Sequence, residues 1–157
     1  MRRERVFEQV VTSFIASAAF GILFNAPKQS LMKCGFVGMI GWVLYYGLVE
    51  IEYDSIFATL VAAFVVGVIS QFFAKRYKMP IIIFTIAGII PLVPGGLSYD
   101  AMKHFVENDY NVAVQLAAKV CMLAGAIALG IIFAEVMNQL MIKYNRRKQS
   151  EKGAPLK

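Results

Sequence analysis

Five apolar runs, each close to the length of a membrane-crossing helix, leave this chain little choice of environment. They cover residues 6–24, 31–49, 55–74, 80 to about 97, and 112 to about 142. A helix needs ~20 consecutive apolar residues to cross a hydrocarbon core ~30 Å thick. Within lipid, only helices and closed barrels satisfy every backbone group. Composition agrees, with 59% hydrophobic and 17% charged residues against about 45–50% and about 25% in an ordinary soluble domain. The expected fold is an all-α integral membrane protein of about five transmembrane helices, with one domain over residues 1–145 and a basic tail over 146–157 that has no regular structure beyond the last helix turn.

The links between runs are short and polar: NAPKQS, EIEYD, KRYKM and KHFVENDYN. Short links favour antiparallel neighbours in a compact bundle. The basic start MRRERVFEQVV is read as part of a retained first helix rather than a cleaved leader. Five crossings put the N-terminus, EIEYD and KHFVENDYN on one side, and NAPKQS, KRYKM and the C-terminal tail on the other. The second side carries Lys28, Lys75, Arg76, Lys78 and the basic residues from Lys143 onward; the first carries Arg2, Arg3, Arg5 and Lys103. The positive-inside rule therefore places the C-terminus inside and the N-terminus outside. The net charge of +6 follows from this distribution and from attraction to anionic lipid, which argues against nucleic acid as a partner.

Small residues recur at helical spacing: Ser13, Ser17, Gly21 and Asn25 in the first run, Gly35, Gly38 and Gly41 in the second, and Ala113, Ala117, Cys121 and Gly125 in the fifth. Such stripes let helix backbones approach closely in lipid, either within the chain or against a partner. Cys34 and Cys121 lack CxxC spacing and read as small packing residues.

The fourth run, PIIIFTIAGIIPLVPGGLSYDAM, holds the strongest functional signal. Pro91 and Pro94 remove backbone donors and clash with the preceding turn, and Gly95 and Gly96 follow at once. Either the helix ends at Pro91 and exits, or it breaks inside the membrane, where the freed groups must face protein or water. Broken helices of this kind build transporter binding sites. Ser98, Tyr99 and Asp100 would put a hydroxyl, a phenol and a carboxylate beside unwound backbone. Lys119 lies seven residues into the fifth run; it either snorkels to the interface or faces the bundle interior, attracting an anionic group or pairing with Asp100. Glu135, Asn138 and Gln139 are expected at the inner interface. Glu8, Lys33, Glu50, Glu52 and Asp54 lie near helix ends, and His104 beside Lys103 reads as a solvated loop residue.

Enzyme signatures are missing: a single histidine cannot make a usual zinc site, and HExxH, GxSxG and GxxxxGK do not occur. No cofactor or metal is expected. At FNAPKQSL from Phe24, and at IAGIIPLVPGGLSYDAM from Ile86, the sequence resembles the threonine/serine exporter family. It is similar to the small, separately encoded subunit that corresponds to the second membrane half of the fused exporters. That resemblance implies a bacterial inner-membrane exporter of threonine and serine, or of a dicarboxylate such as succinate, driven by the proton motive force. It also implies a larger partner subunit with a cytoplasmic hydrolase-like domain, and places Pro91, Pro94, Gly95 and Tyr99 in the shared core motif. On this reading Pro91, Pro94, Gly95, Gly96, Ser98, Tyr99, Asp100 and Lys119 are the candidate binding or gating residues. A membrane scaffold or a homo-oligomeric channel is the alternative.

Overall fold

The computed structural model describes residues 2–152, and the regular structure among them is helical. Helices α1 (Arg2–Leu23), α2 (Lys28–Glu50) and α3 (Ser55–Tyr77) are followed by a short α4 (Ile81–Ile89), which a 3-10 turn (Ile90–Leu92) extends; α5 (Gly95–Val106) and a long α6 (Tyr110–Lys152) complete the chain. Four of these helices are long and apolar enough to cross a membrane, and Ile81–Leu92 with Gly95–Val106 make a fifth span if the pair, bent by 53°, is one crossing.

One device closes all four inter-helix links. Asn25, Glu52, Lys78 and Asn108 adopt left-handed backbone, and one residue further on the amides of Ala26, Tyr53, Met79 and Asp109 donate back to the carbonyls of Gly21, Leu48, Ala74 and His104. This 6→1 pattern satisfies carbonyls that a helix end leaves open. Asp54 then starts α3 by accepting from the Ile56 amide at 2.9 Å.

Close backbone approach holds the bundle together. Helix α1 lies antiparallel on α2, where Phe14 covers Gly35 and Ser17 abuts Gly38. On its other side α2 receives α3 and α4: Val66 packs on Gly41, and Val37 and Val66 enclose Gly88. Val37, Val66 and Phe84 are fully buried there. Lys33 lays its ammonium 3.3 Å from the centre of the Tyr77 ring, tying α2 to the end of α3. Helix α6 runs parallel to α3, with Gly130 against the backbone of Leu60 and Phe64, and Gly67 against Ala134.

Two expectations change. The packed stripe on α6 is Leu123, Ala126, Ile127, Gly130, Ala134 and Asn138; of the four small residues singled out there only Ala113 is buried, whereas Ala117, Cys121 and Gly125 are exposed. A helix apolar all round does not announce which face it will bury. The basic tail, expected to leave the helix after one turn, stays helical through Lys152. Cys34 is buried, as expected of a packing residue, but Cys121 is not.

Candidate functional site in the broken span

Pro91 sits in the 3-10 turn, Val93 turns to extended backbone, and Pro94 occupies the N-cap of α5. With no amide hydrogen on Pro94 and no side-chain cap on the helix it precedes, the first turn of α5 keeps amides that have no partner within the helix. Two of its early donors are accounted for: Gly95 donates to the Val93 carbonyl and Ser98 to that of Pro94. The Gly96 and Leu97 amides remain, at a helix end that carries roughly half a positive charge.

That end forms one wall of a cleft of about 250 Å³, whose other walls include Trp42 and Tyr45 of α2, Thr59 of α3 and Leu123 of α6. The two aromatic rings are stacked at 5.3 Å between centroids. A second cleft of about 190 Å³, lined by Gln9, Thr12, Ser13 and Ala16 of α1, lies across Trp42 and Pro91, which border both. The Trp42 indole Nε1 donates to the Gln9 Oε1 at 2.8 Å, which fixes the ring between the two spaces. Trp42 lies eight residues from the end of α2 and fourteen from its start, about 12 Å and about 21 Å along the axis. The break therefore lies off centre, nearer the side that holds EIEYD.

Of the residues singled out from sequence, Pro91, Pro94, Gly95 and Gly96 converge on this cleft. Ser98, Tyr99 and Asp100 do not stand beside unwound backbone: the break is confined to Val93 and Pro94, and these three belong to α5. Ser98 donates its hydroxyl to the Pro94 carbonyl at 2.9 Å, closing the first turn, while Tyr99 is 70% exposed and Asp100 is exposed. Lys119 is exposed too, and it forms no ion pair with Asp100. His104 is partly buried and meets Asp109, Nδ1 to Oδ2, at 3.4 Å. Trp42, Tyr45, Thr59 and Gln9 were not singled out; the one visible signal was Trp42, the single tryptophan, placed well inside a span.

A larger groove of about 820 Å³ runs along the outer face of α2, lined by Met39, Val43, Gly47 and Leu48 with Val10 and Val65. It offers almost no polar group, so it suits acyl chains or another helix rather than a polar solute.

A second polar constellation joins α3 to α6. Gln71 Nε2 and Gln139 Nε2 donate to the two oxygens of Glu135 at 3.2 and 3.0 Å, and Lys75 donates to the Asn138 side-chain carbonyl. Gln71 and Asn138 are buried. Sequence reasoning placed Glu135, Asn138 and Gln139 together but not Gln71 and Lys75, because their partnership depends on the parallel contact between two helices far apart in the chain.

The model of the family described as Threonine/Serine exporter, ThrE, matches residues 9–137, from α1 through the break to Glu135. The chain belongs to the threonine/serine exporter family. Among relatives of this exporter family, a Corynebacterium glutamicum protein named threonine/serine exporter is 30% identical over 134 residues, 82% of this chain. A Haemophilus influenzae protein described as uncharacterized is also 30% identical, over 125 residues and 74% of this chain. The chain spans only 26% and 42% of the lengths of those two relatives. No solved structure gives a significant match. Together with its apolar helices, membership of the exporter family makes this a multi-pass membrane protein with a role in export.

Proposed function

We propose that the chain is the membrane subunit of a secondary exporter for small carboxylate-bearing solutes, threonine and serine or a dicarboxylate such as succinate, acting with a larger partner subunit in a bacterial inner membrane. The observation that carries this is the broken fourth span, which sets the uncapped start of α5 against a cleft inside the apolar bundle. An anion at a helix start gains about 0.3–1 kcal/mol when exposed and up to about 2 kcal/mol when partly buried. The Gly96 and Leu97 amides then hold the solute's carboxylate. Thr59 and Tyr45 bind its hydroxyl or amine, and the Trp42 ring separates this space from the one beside α1. Pro91 and Pro94 keep the break from annealing into a continuous helix. Lys119, exposed and outside the cleft lining, is not needed for the solute's charge within this chain; the helix start supplies it.

The test is efflux of radiolabelled threonine, serine and succinate from cells lacking their own exporters. The chain is expressed alone and with the larger subunit. Efflux of at least one solute on co-expression, and none from either chain alone, is the expected outcome. If both chains are inserted and associated yet no solute leaves the cell, the scaffold reading takes its place.

A further inference from the structure

Glu135 is the one carboxylate, among the described side chains, that is not exposed; Glu8, Glu50, Glu52, Asp54, Asp100, Glu107 and Asp109 all are. It lies level with Gln71, six residues before the end of α3, and so about 9 Å inside the span. A charged group at such a depth costs energy unless it is paired, and in transport proteins such groups mark proton and ion paths. No cation neutralises it. The charged groups facing this region are Lys75 and Arg76 on α3 and Lys143 on α6, all exposed, and Lys75, the one on the adjacent turn, is engaged by Asn138. Helix α5 packs on the other half of α6, near Leu123, and brings no charge here.

The two partners of Glu135 are both side-chain amides. An amide presents a donor on one side and an acceptor on the other. Two donating amides suit the carboxylate; one amide turned over accepts from the protonated acid. The cage therefore accommodates both states, which an ion pair would not. It also spans the α3–α6 seam, where Gly67 and Gly130 let the backbones touch, so a change of charge acts directly on how these helices pack.

We propose that Glu135 is the proton-binding residue of the transport cycle, taking a proton from water at the α3–α6 seam and releasing it there. Neutral, it lets the seam close in lipid; ionised, it draws both amides and reopens the seam to water. This rests on the exporter reading, and the experiment separates the two. Wild type and Glu135→Gln are reconstituted in vesicles with the larger subunit. Uphill solute movement driven by an imposed pH gradient and solute exchange without a gradient are both measured, and carboxyl protonation is followed by infrared difference spectroscopy across a pH series. The expected result is exchange retained and uphill movement lost in Glu135→Gln, with a titrating carboxyl band present in wild type and missing in the variant. Glu135→Asp, which keeps the acid one methylene back, should move the pH profile of transport without abolishing it. Uphill movement by Glu135→Gln with an unchanged pH profile would overturn the inference while leaving the exporter intact. Should Glu135→Gln fail to insert, an unshifted profile in Glu135→Asp overturns it instead. Absence of both exchange and uphill movement in wild type removes the exporter reading, and the proton cycle with it.

Discussion

At Gly38 a β-carbon would meet the Ser17 hydroxyl at 1.8 Å and the Ser17 β-carbon at 2.6 Å. At Gly130 it would meet the Leu60 carbonyl at 2.6 Å and the Phe64 amide at 2.9 Å. Overpacking of this kind costs typically about 1–3 kcal/mol, but the two sites differ in what can give way. Ser17 is fully buried with no hydrogen bond to its hydroxyl, so trimming it removes the obstacle and an unsatisfied group together. Gly38→Ala should lower the unfolding midpoint in detergent, and Ser17→Gly should recover part of the loss. The double variant is then expected to be more stable than the sum of single effects by about 1 kcal/mol, within the usual range for residues in contact. Gly130→Ala faces backbone, so Ala63→Gly should recover little of its loss. Strict additivity at positions 17 and 38 would mean the two helices do not meet as described.

The α4–α5 pair sets two demands against each other. Neither Gly95 nor Gly96 would bring a β-carbon within 4 Å of anything, and neither has positive φ. Alanine is thus sterically free at both, and helix propensity favours it by about 1 kcal/mol in a helix interior, less in a first turn. Gly96→Ala should leave stability equal or raised, yet lower export, because a methyl beside the amide narrows a solute's approach to it. Unchanged export would take Gly96 out of the binding wall. Much of this element was legible before any coordinates, since Pro91, Pro94 and two glycines leave a long apolar run no way to stay a straight helix. What followed was not: Ser98 to Asp100 read as loop, but the Ser98 hydroxyl closes onto the Pro94 carbonyl and the helix restarts within two residues. Span positions were readable from hydropathy to within a few residues, since lipid demands length and little else. The buried face was not, because Ala117, Cys121 and Gly125 look as suitable for packing as Ala126, Gly130 and Ala134, and only the neighbouring helix decides between them.

Taken whole, the molecule is longer on one side than its shorter helices require. Helix α3 has 23 residues, about 34 Å, which matches a hydrocarbon core of ~30 Å with its margins. Helix α6 has 43 residues, about 65 Å. The Lys75–Asn138 contact puts the end of α3 level with the turn after Asn138, so the stretch from about 141 to 152 runs on past it as a basic rod. Lys143, Arg146, Arg147, Lys148 and Lys152 all lie there. Such a charge cluster next to a span favours the cytoplasmic side, whereas Arg2, Arg3 and Arg5 at the opposite end pull the other way. Cysteine accessibility decides between them. In a background with Cys34→Ala and Cys121→Ala, an impermeant maleimide should label Glu52→Cys in intact spheroplasts, and Lys148→Cys only after the membrane is opened. The reverse pattern would put the basic rod outside. Because Glu135 lies on the rod's side of the break, that reversal would also turn the proton site outward, so that protons would enter at the α3–α6 seam rather than leave by it.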